Sequence, residues 1–142
     1  MITTANHKVI GHLNPSLSDG SSKSLDASRL TGRWVNTSRE TGGIAECLIE
    51  RRGEPFKLTL VAVGDGEPIP WPEVEVTGLA NLEEEAGQRA YALAAEFDHG
   101  FMTSRVYIRV NKGVLVIVLF NSFRDQSGRS DYVTREFFYR AD

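Results

Sequence analysis

From residue 26 onward, short runs of apolar and β-branched residues follow one another, each separated from the next by a turn signal. The runs predict eight strands, at about residues 33–38, 44–51, 56–63, 73–79, 90–97, 102–110, 114–122 and 131–140. The separators combine Gly with Asn or Asp, which accept the backbone angles of tight turns, and Asn111-Lys112-Gly113 is the tightest hairpin signal. The pattern predicts an all-β chain.

Two stretches carry weaker signals. Asp26 can cap a short helical turn over residues 27–30. Residues 82–95 include acidic residues and alanines that favour a helix, whereas Gly87 and the strand-like residues 91–97 favour a loop followed by a strand. We predict the loop and strand.

The N-terminal residues 1–25 are polar and show no hydrophobic period, so they predict a flexible tail. The folded domain is therefore expected over residues 26–142. His7 and His12 lie in the tail without neighbouring ligand residues, and we interpret them as incidental rather than as a metal site.

Short loops between consecutive strands favour antiparallel pairing of neighbours. A sheet of such strands leaves two exposed edges, which closure removes. The predicted fold is an eight-stranded antiparallel up-and-down barrel, whose interior holds packed side chains or one small ligand. An open sandwich of two sheets is the structural alternative.

The segment Leu30-Thr31-Gly32-Arg33-Trp34 places a Gly-x-Trp motif at the start of the first predicted strand. This motif resembles the opening of lipocalins and related calycin barrels. The resemblance implies that Trp34 closes the barrel floor and that an arginine from late in the chain packs across its ring. Arg135 and Arg140 are the candidates for that arginine.

A longer series of motifs resembles a bacterial family of small lipocalin-like proteins of unassigned function, over about residues 30–140. Where some members carry two cysteines, this chain has Pro68 and Pro70, so the resemblance implies a fold and no cysteine chemistry. The motifs are Gly32-x-Trp34-Val35-Asn36, Thr41-x-Gly43-Ile44, Trp71-Pro72-Glu73-Val74 and Asp125-x-Ser127-Gly128-Arg129-Ser130-Asp131-Tyr132, with Glu136 and Arg140 beyond.

The net charge of the 142-residue chain is −3, from 16 Lys and Arg against 19 Asp and Glu. This net charge does not predict the strongly positive surface that binds nucleic acid or an anionic membrane. A run of about 18 apolar residues and a secretory signal are both absent from the sequence, so we expect no membrane insertion and a cytoplasmic location.

The single cysteine, Cys47, cannot form an internal disulfide, which suits a reducing compartment. Its mid-strand position predicts a small buried hydrophobe rather than a nucleophile. His99 lies in a turn and is expected to be solvated, while a Cys47–His99 pair stays open as an alternative. The standard nucleotide, phosphate and metal motifs are absent from the sequence, so we predict no cofactor and no metal.

Alternation along residues 102–110 leaves two alternatives. If the face of Met102 and Val106 lines the core, then Arg105, Tyr107 and Arg109 lie outside. In the opposite case these three side chains point into a cavity and can hold an anionic group. The residues Glu46, Glu96 and Glu136 are equally open, either as solvent-side carboxylates or as buried, paired ones.

Three further segments surround the predicted interior. Prolines at alternate positions in residues 68–72 predict an extended segment at the rim of the barrel. Trp71 in this segment can stack on a ligand or cover the end of the barrel. Residues 125–131 predict a polar hairpin tip. Residues 114–120 are apolar on both faces, so the N-terminal tail or a second copy of the chain is expected to cover the outer one.

The predicted function is binding of a small, largely apolar molecule with one polar or anionic group. A cofactor-free cyclase or isomerase of a polyketide- or terpenoid-like intermediate is the first alternative. An interaction module with a filled barrel is the second. A void of roughly 300 Å³ or more that is lined by aromatic residues would favour a ligand or substrate, and a packed interior would favour the interaction module. The predicted ligand contacts are Trp34, Trp71, Phe97, Arg105, Tyr107, Arg109, Phe120 and Tyr132, with Arg105 or Arg109 as the anion partner.

Overall fold

The computed structural model describes residues 26–51, 56–80 and 90–141. These residues form one antiparallel sheet, which confirms the all-β prediction. The strands in the described part of the chain are β1 (Gly32–Asn36), β2 (Ile44–Arg51), β3 (Phe56–Val63), β4 (Pro68–Pro70), β5 (Val74–Glu75), β6 (Thr77–Leu79), β7 (Ala92–Asp98), β8 (Met102–Asn111), β9 (Val114–Phe123) and β10 (Tyr132–Arg140).

The strand order is β4-β3-β2-β1-β10-β9-β8-β7-β6, and β5 pairs separately with β3. Consecutive long strands therefore pair as hairpins, while β1 and β10 bring the two halves together. The β8–β9 hairpin turns at Lys112 and Gly113, whose φ angles are 52° and 80°. Two successive positive φ angles match the right-handed twist of the flanking strands, as the sequence signal predicted.

The structure corrects the predicted number of strands and the predicted closure of the sheet into a barrel. The expected strand at 73–79 is divided at Val76, which is buried and donates its N–H to the Phe56 carbonyl at 3.1 Å. Residues Pro68–Pro70 add an edge strand, the position in a sheet that proline tolerates. The result is a ten-stranded sheet that is not closed into a barrel. The two halves of the sheet come closest to closing at residues 74–79, because β5 pairs with β3 and the following strand, β6, pairs with β7.

The chain before β1 forms a single turn rather than a helix. The Leu30 N–H bonds to the Ala27 carbonyl at 2.8 Å, and Asp26 Oδ1 accepts the Ser28 N–H at 2.9 Å. No helix is present in the described residues. The predictions for residues 1–25 and for the loop at 81–89 lie outside the described residues.

The inward face of the sheet is filled along most of its length by aliphatic side chains. Met102 and Val106 on β8 belong to this face, while Arg105 between them is exposed, so the structure realises the first of the two alternatives for this strand. The largest fully buried side chains are Trp34, Phe138, Leu30, Ile44, Ile49, Leu58, Leu60, Leu93, Ile108, Leu115 and Ile117.

One end of the interior is sealed by Trp34. Its side chain is 1% exposed, and its Nε1–H donates to the Leu30 carbonyl at 3.0 Å. The Arg140 guanidinium lies 4.4 Å from the centre of the indole ring and donates to the carbonyls of Thr31 and Arg29. Of the two candidate arginines, Arg140 therefore covers the tryptophan.

Candidate functional site

A cavity of about 160 Å³ lies at the other end of the interior. It opens beside Tyr132, eight residues along β10 from Arg140, which corresponds to about 27 Å of strand at about 3.4 Å per residue. Its volume is close to the roughly 150 Å³ at which an apolar cavity in an engineered protein core takes up benzene. The lining residues are Gly42, Gly43, Ile44, Ala62, Trp71, Met102, Leu119, Asn121, Tyr132, Thr134 and Glu136.

Glu136 supplies the charged group of this cavity. Alternation along β10 turns it inward together with the buried Phe138. Its Oε2 accepts the Asn36 amide N–H at 2.7 Å and the Thr41 hydroxyl, and its Oε1 accepts the Ile44 N–H at 3.2 Å. These donors are all uncharged, and together they fix the carboxylate at the mouth of the cavity.

Gly43 allows the carboxylate this position. A Cβ added to Gly43 would overlap Glu136 Oε1, whereas one added to the neighbouring Gly42 would meet nothing within 4 Å. The Gly43 N–H donates to the Thr41 hydroxyl at 3.0 Å, and Thr41 in turn donates to Glu136. The turn between β1 and β2 is thus shaped around this one side chain.

Asn121 is the second polar group of the cavity. It shares the inward face of β9 with Leu119 and is 3% exposed. Its Oδ1 accepts the buried Ser104 hydroxyl at 2.5 Å, and His99 Nε2 lies 3.1 Å from the same Ser104 oxygen. No described side chain accepts a hydrogen bond from Asn121 Nδ2, so the amide N–H₂ can donate into the cavity.

Aromatic rings form a wall beside the cavity. Trp71 meets Phe97 edge-on at 4.9 Å and His99 at 4.6 Å, measured between ring centres. Trp71 is half-buried, and its backbone N–H donates to the Leu60 carbonyl at 2.8 Å. His99 is therefore part of a packed cluster rather than a solvated turn residue, and it extends the wall to Phe101 at 6.4 Å.

The polar hairpin tip folds back onto the same end of the sheet. The Arg129 guanidinium lies 4.1 Å from the Phe123 ring centre and donates to Asp125 Oδ2 at 2.7 Å. Phe123 in turn contacts Tyr132, whose ring lines the cavity, at 6.0 Å. Hydrogen bonds from Ser127, followed by the contact with Arg129, hold the pKa of Asp125 below its ordinary value.

The structure separates the predicted ligand contacts into three places. Trp71 and Tyr132 line the cavity, and Phe97 packs directly against Trp71. Trp34 lies at the opposite, sealed end of the interior. The remaining four residues, Arg105, Tyr107, Arg109 and Phe120, lie on the outer face of β8 and β9, where Arg105 pairs with Glu96 at 3.7 Å and Arg109 lies over Tyr91 at 4.9 Å.

Sequence reasoning left Glu136 undecided and did not single out Asn121. The sequence did contain a signal for both residues. Each lies two positions along its strand from a large apolar residue and therefore on the same face, Glu136 with Phe138 and Asn121 with Leu119. The other two glutamates lie on the outer face, Glu46 in an ion pair with Arg33 and Glu96 beside Arg105.

Other candidate chemistry is not supported by the described residues. Cys47 is fully buried in the core, and burial raises the pKa of its thiol. Within residues 26–51, 56–80 and 90–141, no group of His, Cys, Asp or Glu side chains is arranged to hold a metal ion. The same residues contain no helix that is long and apolar enough to cross a membrane.

Comparison with known proteins adds no identification. A scan of protein-family models and searches of curated proteins and of solved structures each found no match to this chain. The assignment of a function therefore depends on the geometry of the cavity.

Proposed function

We propose that this protein binds a small, largely apolar molecule in the cavity lined by Trp71, Tyr132 and Glu136. The observation that carries the proposal is the convergence of a carboxylate and an amide, Glu136 and Asn121, on a cavity with an otherwise largely apolar lining. Ligand sites generally have this composition, since apolar walls supply affinity and a few placed polar groups supply orientation.

The size of the cavity limits the ligand. Its volume of about 160 Å³ is smaller than the void of roughly 300 Å³ expected from the sequence for a ligand or substrate site, and that is also the size at which drug-sized sites begin. The buried portion of the ligand is therefore one ring or a short branched alkyl group. The rest of a longer ligand would extend past Tyr132, which is 48% exposed.

Residues 74–79 bring the two halves of the sheet close to a barrel-like enclosure. Val74–Glu75 pairs with β3 and Thr77–Leu79 pairs with β7, so this segment joins strands of both halves. We infer that it covers the gap between β3 and β7. The residues that line the cavity lie on other parts of the chain.

A titration with benzyl alcohol tests the proposal, and the two tryptophans of the chain provide the readout. In proton–nitrogen correlation spectra, we expect the Trp71 indole signal to shift and the Trp34 signal to stay. For a ligand of this size we expect a Kd of about 1 mM. Shifts of both indole signals would overturn the proposal. So would the absence of a Trp71 shift with benzyl alcohol and also with its charged analogues benzylammonium and benzoate.

A matched pair of variants localises the binding. Tyr132 and Phe120 are 48% and 51% exposed, but only Tyr132 lines the cavity. We expect Tyr132→Ala to weaken benzyl alcohol binding about fivefold, because about 1 kcal/mol of ring contact is lost. Phe120→Ala is expected to leave the affinity unchanged, and an equal loss in both variants would place the ligand elsewhere.

Self-association is a second candidate function, favoured by the outer face of β9 and β10. Phe120, Val133 and Phe137 are 51%, 59% and 42% exposed, and Val133 lies directly opposite Phe120 in the strand pairing. A homodimer would cover these side chains. Sedimentation equilibrium at micromolar concentration is expected to show a dimer that Val133→Glu dissociates, and a monomer in both samples would exclude it.

The cyclase or isomerase alternative stays a prediction that uses the same cavity. Glu136 and Tyr132 are the titratable side chains among the lining residues, so they would carry any proton transfer there.

A further inference from the structure

The cavity carries a negative charge that the described part of the chain does not neutralise. Glu136 accepts hydrogen bonds from Asn36, Thr41 and the Ile44 backbone, all of which are uncharged donors. None of the ion pairs formed among the described residues includes Glu136. A carboxylate at the mouth of a largely apolar cavity attracts a cation more strongly than one in bulk water, because the local dielectric is lower.

The geometry leaves one carboxylate oxygen available to a ligand. Oε2 accepts two hydrogen bonds from side chains, whereas Oε1 accepts one, from the Ile44 N–H. A carboxylate has about four lone-pair sites, so Oε1 can accept another donor from the cavity side. The rings of Trp71 and Tyr132 line the same cavity, and aromatic faces attract organic cations.

From these contacts we propose that the ligand is a small organic amine, whose ammonium group binds Glu136 and whose ring or branched alkyl group fills the cavity. The inference rests on the proposed function, since it uses the same cavity. It replaces the sequence-based expectation of an anionic group, because Arg105 and Arg109 lie on the outer face. The Asn121 amide is placed to bind a second, acceptor substituent of the same ligand.

Three probes that share one ring and differ in charge test the inference on the unaltered full chain: benzylammonium, benzyl alcohol and benzoate. Affinities are measured from the Trp71 indole shift at low and at high salt. We expect benzylammonium to bind about 10-fold more tightly than benzyl alcohol, and benzoate about 10-fold more weakly. The preference is expected to persist at high salt, because a partly buried pair is screened less than an exposed one.

The outcomes separate the two proposals. If benzyl alcohol shifts Trp71 and benzylammonium binds no more tightly, the inference is overturned and the proposed function stands. If none of the three probes shifts Trp71, the proposed function fails, and the inference fails with it.

Variants then assign the charge preference to one carboxylate. Glu136→Gln is expected to remove the preference for benzylammonium over benzyl alcohol, because the amide carries no charge. Glu96→Gln is the matched control, since Glu96 is exposed on the outer face and pairs with Arg105, and it is expected to change neither affinity. Thr41→Val removes one donor and retains the carboxylate, so the preference should persist. Loss of the preference for benzylammonium in Glu96→Gln would overturn the assignment. A preference that persists in a folded Glu136→Gln variant would overturn it too.

Discussion

The two ends of the sheet interior use a tryptophan in opposite ways. Trp34 is 1% exposed, its N–H is bonded, and the Arg140 guanidinium covers its ring. Trp71 is half-buried, meets Phe97 and His99 edge-on and lies beside a cavity of about 160 Å³. The polar groups of the sealed end bond to backbone carbonyls, whereas those of the open end converge on the cavity.

This difference teaches where stability and recognition reside in one small sheet. A buried polar group is stabilising only when its hydrogen bonds are complete, as they are around Trp34. At the open end, Glu136 and Asn121 keep hydrogen-bonding capacity that a ligand can use. Binding sites commonly forgo some stability in this way.

The largest expected effect comes from removing each tryptophan in turn. We expect Trp34→Ala to lower the free energy of unfolding by about 3–5 kcal/mol, the range for a buried aromatic residue. Trp71→Ala is expected to cost about 1–2 kcal/mol, because the ring is already partly exposed. Urea unfolding of both variants gives the comparison. Equal losses would mean that the two ends do not differ as described.

The next effect comes from the turn that holds Glu136. A Cβ at position 43 overlaps Glu136 Oε1, so Gly43→Ala is expected to displace the carboxylate from its hydrogen bonds and to lower the free energy of unfolding by about 1–2 kcal/mol. Benzylammonium affinity should fall about 10-fold in the same variant. Gly42→Ala is the control, because a Cβ there meets nothing within 4 Å. A neutral Gly43→Ala would show that the close approach is not required.

A smaller effect is expected from the arginine over Trp34. Arg140→Ala removes the ring contact at 4.4 Å and the bonds to the Thr31 and Arg29 carbonyls, at an expected cost of about 1 kcal/mol. Arg135→Ala is the matched comparison, since Arg135 lies 5.5 Å from the ring of the exposed Phe137. We expect that change to cost less than about 0.5 kcal/mol. Thermal unfolding compares the two variants.

The smallest effect concerns the hairpin tip at the open end. The pKa of Asp125 is lowered by hydrogen bonds from Ser127 and by Arg129. A lowered pKa means that the tip is stabilised above the unfolded-state pKa of Asp125 and loses this contribution as pH falls through the folded-state value. Ser127→Ala is expected to raise the Asp125 pKa, measured from its carboxyl carbon signal. An unchanged pKa would assign the shift to the Ser127 backbone N–H and to Arg129.

The sequence predicted the long strands because their alternation and turn residues are local signals. β2 and β3 begin and end where the pattern predicted, and the Asn111-Lys112-Gly113 turn joins β8 to β9. The division of the 73–79 strand was not predictable in this way, because it depends on pairing β5 with β3 and β6 with β7.

The candidate site was predicted only in part, for a similar reason. Trp71 was predicted on a proline-rich rim and Tyr132 was predicted as an aromatic ligand contact, and both predictions depend on residue type. The role of Glu136 depends on donors from the end of β1, the β1–β2 turn and the start of β2, about 100 residues earlier in the chain, so no local pattern reports it. The placement of Arg105 outside followed from the alternation of β8, once the core face was known.

The most direct test of the two-ended interior is an isotope-filtered nuclear Overhauser experiment on the chain with benzylammonium bound. Ring protons seated in the cavity should give cross-peaks to the methyl groups of Met102 and Leu119, and none to the Trp34 ring. Cross-peaks to Val116 or Val118 on the outer face of β9, without any to Met102, would contradict the account.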